Sequence, residues 1–452
     1  MKLISTYSVK IKNYNGIFKK SVTLFRQAVC FYMDVIDIHW ERFAGSSTKD
    51  AVNTAEAYTL PTAKRPSVRH NFNERFYKMP CYLRRAAISE AYGKVSSYRS
   101  NLLNWEETNV GSRGRRPRIS GAGFIYPTLY RGNMYKGDLF NGYTAEIKVF
   151  RNNTWDWLSV TLRKTDVDYI RKYRAFHRMC TPTLQKRGKQ WFLDFPFEES
   201  VCLDAAPAEE QKILAVDLGI NNACTCSAMR SDGTVLGRRF LKLPKEYDSL
   251  KRKTDRIKRA QRHGSRKTPK LWAYAKGVND DIAVKTANFI IDTAVLYNVD
   301  VIVMEHLDLG KKKRSSKKQK LALWRAKYVQ AMVTHKAHHN RMRISHVCAW
   351  GTSRLAFDGS GKVLRGKESE KTGNNYSLCE FKTGKVYNCD LNATYNIGAR
   401  YFVRELLKTL PATEEQHIRA KVPGCDKRST YTLSTLISLC GVLRSADRNH
   451  AA

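Results

Sequence analysis

Acid is what this chain is short of. Its 452 residues include 41 Asp or Glu against 80 Lys or Arg, a formal net charge of +39. A soluble chain this basic repels itself unless a polyanion neutralises it, and nucleic acid is the expected polyanion. Long apolar runs are also missing: none approaches the ~20 residues that a membrane-spanning helix needs. A membrane surface is the weaker alternative, because the basic residues spread from end to end instead of lining one amphipathic helix. The eleven cysteines are odd in number and follow no regular framework. The opening "MKLISTYSVKIKNYNG" has no apolar core of a signal peptide. The expectation is a cytoplasmic protein with reduced thiols and no membrane partner. Internal repeats are absent as well.

With 42% hydrophobic residues the chain is globular, and its length suits two to four domains. "KLISTYSVKIKNY" alternates apolar and polar residues and predicts a strand. From about Gly16 to Trp105 the period becomes helical, with Pro80 suited to the first turn of a second long helix. "GSRGRRPRISG", 111–121, reads as a basic loop and a boundary. Residues 122–200 have strand composition, so a β-domain with a helical domain inserted into it is expected. "LDAAPAEEQ", 203–211, is a linker, and the last fifty residues read as a mixed tail in which "YTLSTLISLCGVL" could form one short helix.

The stretch "ILAVDLGINN", 213–222, is an apolar strand that ends on a carboxylate. A buried, unpaired Asp costs several kcal/mol or becomes neutral. A second apolar strand, Val299–Met304, also ends on an acid, Glu305. A third, Asp390, opens "DLNATYNIGARYF", whose Ala393, Ile397 and Tyr401 share one helical face. A single strand-end Asp is ordinarily a cap or a solvated turn residue. Three acids from distant segments repel one another unless divalent metal is bound, and two Mg²⁺ ions about 3.5–4 Å apart suit that arrangement. Mg²⁺ takes hard oxygen ligands and keeps several waters, so few protein ligands suffice.

The order "VDLGINN", "IVMEHL", "CDLNATYNIGARY" resembles the split RuvC nuclease of the TnpB family of transposon-encoded proteins and the related compact type V CRISPR effectors. The resemblance implies a multidomain α+β and α/β fold. A wedge β-barrel (1–15 and 111–205) would carry an inserted helical recognition domain (16–110). A ribonuclease-H-like RuvC domain (206–346 and 386–401) would follow, with a small hairpin or zinc-ribbon-like insertion (347–385) that binds target nucleic acid, and a C-terminal tail (402–452). It further implies an RNA-guided DNA endonuclease of the bacterial or archaeal cytoplasm, acting at the nucleoid. Its partners would be a guide RNA and target double-stranded DNA, bound as a monomer or a dimer on one guide. The protein would read a short flanking motif and cut at one site with Asp217, Glu305 and Asp390 as Mg²⁺ ligands. Asn392 is read either as orienting that site or as a cap. A guide-directed repressor without cleavage and a transposase joining DNA ends are the alternatives.

One departure from the family concerns zinc. The family pattern "T-S-x-x-C-x-x-C" survives as Thr352 and Ser353, but Ala356 and Gly359 stand at the cysteine positions, and Lys382 stands at the fourth. Cys348, Cys379 and Cys389 remain as weak candidates. A structural zinc wants four ligands, so none is expected. His335, His338 and His339 share a helical face at ligand-like spacing but have no cysteine beside them. "CTC", 224–226, is most simply core packing.

Two basic stretches are assigned to phosphate. "KKKRSSKKQK", 311–320, offers Lys311, Lys312, Lys313, Arg314, Lys317 and Lys318; "KRKTDRIKRAQRHGSRKTPK", 251–270, offers Lys251, Arg252, Lys253, Arg256, Arg259 and Arg262. Such contacts position nucleic acid without reading its bases, although a charge run is usually just a solvated loop. Trp272 and Tyr274, or Tyr77, Tyr82 and Tyr98, could stack on bases. In "RHNFNERFYK", Asn71, Asn73, Arg75 and Tyr77 are the candidates for reading the flanking motif.

Overall fold

The structure is a computed structural model that describes residues 1–12, 16–219, 222–265, 267–307, 325–373 and 375–451. The chain divides into two compact units, Lys2–Ser200 and Val201–Ala452, with Met1 counted in the second.

The N-terminal unit begins with β1 (Lys2–Lys12), in which Leu3, Ser5, Val9 and Ile11 turn inward. Four helices follow: α1 (Phe18–Ile38), α2 (Thr48–Thr59), α3 (Phe72–Arg75) and α4 (Cys81–Glu107). Helix α1 buries Phe18, Val22, Phe25, Val29, Tyr32 and Ile36, one stripe at helical spacing. Helix α4 packs in the same core, burying Ala87, Ile88, Ala91 and Val95. Ser47 caps α2 by accepting from Asp50 N at 3.2 Å.

The chain then returns to strands: β2 (Tyr135–Lys136), β3 (Thr144–Arg151) and β4 (Thr154–Leu162), helix α5 (Lys164–Arg174), then β5 (Arg178–Met179), β6 (Thr183–Arg187) and β7 (Gln190–Ser200). These join β1 in one sheet of order β2-β3-β4-β1-β7-β5, with β6 also on β7. Strand β1 pairs β7 from Lys2↔Ser200 to Lys10↔Phe192, and pairs β4 only at Ile11 and Lys12. The sheet is open, which corrects the barrel expectation. Alternating strands look the same in a barrel and an open sheet; closure depends on whether the edges can pair. Here β2 and β5, at the two ends of the path, have two residues each, too few for a closing ladder. Sheet and helices share one core running from Val9 to Phe197.

In the C-terminal unit a five-stranded sheet has the order β10-β9-β8-β11-β12. Strands β8 (Lys212–Asp217), β9 (Cys224–Arg230) and β10 (Val235–Leu241) form an antiparallel meander. Helices α6 (Pro244–Arg262) and α7 (Pro269–Leu296) lead to β11 (Val301–His306), which lies parallel to β8. Helix α8 (Ala326–His339) then leads to β12 (Arg343–Cys348), parallel to β11. The unbroken apolar run of β8 has a physical cause: both faces of the sheet are covered. Leu214 and Val216 pack with Cys224, Cys226 and the α7–α8 face, whereas Ile213 and Ala215 face the opposite layer.

Between β12 and that second layer lies a small sheet of β13 (Leu364–Arg365), β14 (Leu378–Glu380) and β15 (Val386–Asn388). Ala356, at the first missing cysteine position, is a core residue here, packed with Val363, Cys379, Phe381 and Cys389. Gly359 is in the left-handed turn region (φ +80°), and Lys382 is exposed. Helix α9 (Cys389–Lys408) forms the second layer with α10 (Ala412–Lys421) and α11 (Leu433–Ala451). It extends beyond residue 401, and Leu406, Leu407, Ile418, Leu433, Leu436 and Leu439 give the last fifty residues a place in the core. Gly398 lets α9 lie close to the sheet: a Cβ there would stand 2.5 Å from Met229 Sδ and 3.4 Å from Ala215 Cβ.

Candidate active site

Strands β8 and β11 run in register, Val216 opposite Met304. Their C-terminal ends therefore present Asp217 and Glu305 on adjacent strands, which lie about 4.8 Å apart. Asp390 is in the first turn of α9, where Asn388 caps the helix by accepting from Asp390 N and Leu391 N at 3.0 Å. A carboxylate suits that helix end electrostatically. All three acids are half-buried, each with some opening to solvent.

Asp217 feels both of the other acids. Atoms crowd round Asp217 despite its opening, and this desolvation pushes its carboxyl well above the usual range; Glu305 and Asp390 add to the push, and Arg365 opposes it. Burial also raises Glu305, against the hydrogen bond from Thr352 and the charge of Arg400. Thr352 Oγ1 donates to Glu305 Oε1 at 2.5 Å, and Asn222 Nδ2 donates to Asp390 Oδ2 at 2.6 Å. The donor set is what a hard divalent cation takes: carboxylate oxygens around a charge that is costly to leave unneutralised. Among the described residues no three His, Cys, Asp or Glu side chains already converge as metal ligands. The acids share a field without sharing one coordination point.

The surrounding frame was only partly visible from the three motifs, which contain Asn222, Asn392, Asn396 and Arg400 but not their partners. Asn392 does not cap its own helix. It accepts from Phe357 N and donates to Leu355 O, both at 2.8 Å. Asn396 donates to Thr352 O at 2.9 Å and Leu355 O at 2.8 Å. Together they hold segment 352–357, and with it the hydroxyl on Glu305. Arg400, deep in the same helix, donates to the carbonyls of Cys348 (2.5 Å), Trp350 (2.8 Å), Ser429 (2.5 Å) and Tyr431 (3.3 Å). Burial lowers its pKa. Arg365, at the end of β13, reaches Ser353 Oγ at 3.3 Å and Tyr376 O at 3.2 Å. The available signals were the "INN" after Asp217 for Asn222 and the retained "TS" for Thr352; Arg365 had none.

The turn after Asp217 is tight. A Cβ on Gly219 would stand 2.6 Å from Asn222 O, so glycine is needed there to bring Asn222 back toward Asp390. A cavity of about 590 Å³ opens beside this turn, lined by Gly219, Asn222, Tyr247, Lys251, Lys258 and Thr286.

The remaining candidates scatter. On α6, Lys251, Arg252, Arg256, Arg259 and Arg262 are exposed, while Lys253 lies over the Tyr274 ring at 5.7 Å. Trp272 and Tyr274 are also exposed. Lys311, Lys312, Lys313, Arg314, Lys317 and Lys318 lie outside the described residues. Asn71 caps α3, accepting from Asn73 N at 3.1 Å and donating to Glu74 at 2.8 Å; Asn73, Arg75 and Tyr77 are exposed. Cys379 and Cys389 are buried together in the small sheet's core, and Cys348 is exposed at the end of β12. His335 and His339 pack edge to face on α8, 4.8 Å between rings. Cys224 and Cys226 are buried core residues.

Comparison with known proteins divides along the chain. Residues 5–151 match the model of the Aq_aa04 family, and residues 195–316 match that of a probable transposase, OrfB_IS605. An uncharacterized protein of Aquifex aeolicus (strain VF5), aq_aa04, is 30% identical over 121 residues, which is 24% of this chain and 68% of the relative. The TnpB-like protein aq_aa05 of the same organism is 24% identical over 245 residues, which is 49% of this chain and 78% of the relative. Among solved structures, a Cas12f1–sgRNA–target DNA complex matches with a TM-score of 0.33 at 14% identity, over 87% of this chain and 98% of that one. The Alicyclobacillus acidoterrestris C2c1 complex with single-guide RNA matches with a TM-score of 0.42 at 10% identity, over 82% and 65%.

Proposed function

The chain belongs to the TnpB family of transposon-encoded proteins, and its N-terminal part to the aq_aa04 family; from that premise we propose that it is an RNA-guided DNA endonuclease. The observation that carries the cleavage half of this reading is the placement of Asp217, Glu305 and Asp390 at the carboxyl ends of β8 and β11 and the start of α9, where the other two acids raise Asp217. A guide RNA selects the target strand by base pairing, and the protein holds the heteroduplex by its backbone and reads a short flanking motif. Asn71, Asn73, Arg75 and Tyr77 are proposed for the motif. The exposed cations of α6 are proposed for phosphates.

In this reading Asp217, Glu305 and Asp390 would hold Mg²⁺. When bound, the metal activates water and stabilises the leaving oxygen. The chain's own residues fix the frame. Thr352 holds the Glu305 carboxylate through its hydroxyl, Asn222 holds Asp390 through its amide, and Asn392 and Asn396 keep the Thr352 segment against α9.

The test is guide-programmed cleavage with the RNA that copurifies with the protein. Asp217→Ala is expected to abolish cutting while RNA binding survives. Full cleavage by that variant ends the reading. Guide-directed DNA binding without cutting by the native chain leaves a repressor.

A further inference from the structure

Helix α5 of the N-terminal unit carries aromatic rings on its outer side. Val167 and Ile170 face the core, whereas Tyr169 and Tyr173 are 51% and 50% exposed, and Phe176, just past the helix end, is fully exposed. Tyr169 and Tyr173, four residues apart, share one helical face, and Phe176 lies in the turn that follows. The rings form a series: Tyr169 and Tyr173 have centroids 4.6 Å apart, and Tyr169 lies 5.8 Å from Tyr7 on β1. Tyr7 is held from behind, its hydroxyl accepting from Arg174 Nε at 2.7 Å.

Single exposed aromatics are ordinary on protein surfaces. A row of them set among cations is not explained by packing. Residues 163–178 hold Arg163, Lys164, Arg171, Lys172, Arg174 and Arg178 against Asp166 and Asp168, a net positive surround. Arg174 and His177 turn toward Glu199, at 3.6 and 3.4 Å, and Arg178 lies opposite Glu198 across β5 and β7, whereas Lys172 is exposed and can meet phosphate. Lys172 Nζ sits over the Tyr173 ring, 5.2 Å from its centroid. Base faces stack on such rings while neighbouring ammonium and guanidinium groups meet the phosphates, and every base qualifies because every base has a π-face. Paired bases offer no free face, so the arrangement selects unpaired strand. From this geometry and charge complementarity we infer that Tyr169, Tyr173 and Phe176 form a stacking platform for unpaired RNA bases. The inference rests on the RNA-binding half of the proposed function and is independent of the three acids.

The experiment uses the full chain without divalent cation, so cleavage plays no part in it. Binding of a fluorescein-labelled 15-nucleotide oligouridine is titrated beside an RNA hairpin whose fully paired arms are joined by a non-nucleotide linker, and a 15-nucleotide oligothymidine. Each ring changed to Ala is expected to weaken oligouridine binding on the order of tenfold. Tyr173→Phe is expected to retain native affinity, since it keeps the ring, and hairpin binding should stay unchanged throughout. The side chains are exposed, so melting of the variants is expected to match the native chain. Unchanged oligouridine affinity in the Tyr169→Ala, Tyr173→Ala, Phe176→Ala triple variant overturns the platform. So does an equal loss for the hairpin, or a loss confined to oligothymidine. A native chain that binds no RNA at all would instead refute the RNA-guided reading itself.

Discussion

Replacing Asp217 by Asn should stabilise the metal-free protein even as it destroys the proposed activity. The carboxylate lies in a crowded strand end, raised above its ordinary pKa of 3.8 first by burial and then by Glu305 and Asp390. Asparagine keeps the shape and removes the charge. At an effective dielectric near 20 and the ~5 Å spacing of adjacent strands, one like-charge neighbour costs about 3 kcal/mol. The remaining solvent access reduces this, so about 2 kcal/mol is expected. For a unit of roughly 250 residues that corresponds to a melting rise of about 4–8 °C. The pH dependence follows from the sign of the shift. A carboxyl raised in the folded state costs nothing while it is protonated both folded and unfolded. The penalty grows as the pH climbs above 3.8, where the unfolded chain gives up its proton first, and becomes constant above the raised value. The Asn advantage should therefore be smaller at pH 5 than at pH 8. The assay is thermal melting in EDTA across that range, repeated with Mg²⁺, which should stabilise the native chain more than the variant. An Asn variant that melts below the native chain in EDTA at pH 8 would refute the electrostatic argument.

Thr352→Val removes the hydroxyl that donates to Glu305; a lost hydrogen bond to a charged group is worth about 1.5–3 kcal/mol, so cleavage should fall at least tenfold, and Thr352→Ser should restore it. Changing Arg256 and Arg259 to Gln should weaken duplex DNA binding and reduce the slope of log affinity against log salt by about 0.9 for each phosphate that is no longer neutralised, which titration between 50 and 200 mM salt would read. Residues 1–200 expressed alone should fold and melt cooperatively, because the core from Val9 to Phe197 closes within that unit; circular dichroism showing an unfolded chain would contradict this.

The parts of this fold that local pattern dictates were legible. "ILAV" reads as a buried strand because it is covered on both faces, and the acids that end β8 and β11 stand out because a carboxylate after such a run needs a reason. The start of α9 could be placed because Asn388, Asp390 and the apolar spacing after them agree. Less legible was whatever depends on pairing at a distance. Whether the N-terminal strands close or stay open turns on the length of β2 and β5, and two-residue strands leave almost no trace in sequence. Thr352, Asn222 and Arg400 act through partners 47, 168 and about 50 residues away, beyond any local period. The last fifty residues carried the right apolar positions, but Pro411 and Gly424 break them into segments too short to stand out individually.

Strand β15 ends at Asn388 and helix α9 starts at Cys389, with no loop between. The strand's last residue, Asn388, is also the helix cap that accepts from Asp390 N, so the small sheet and the third acid share one backbone junction.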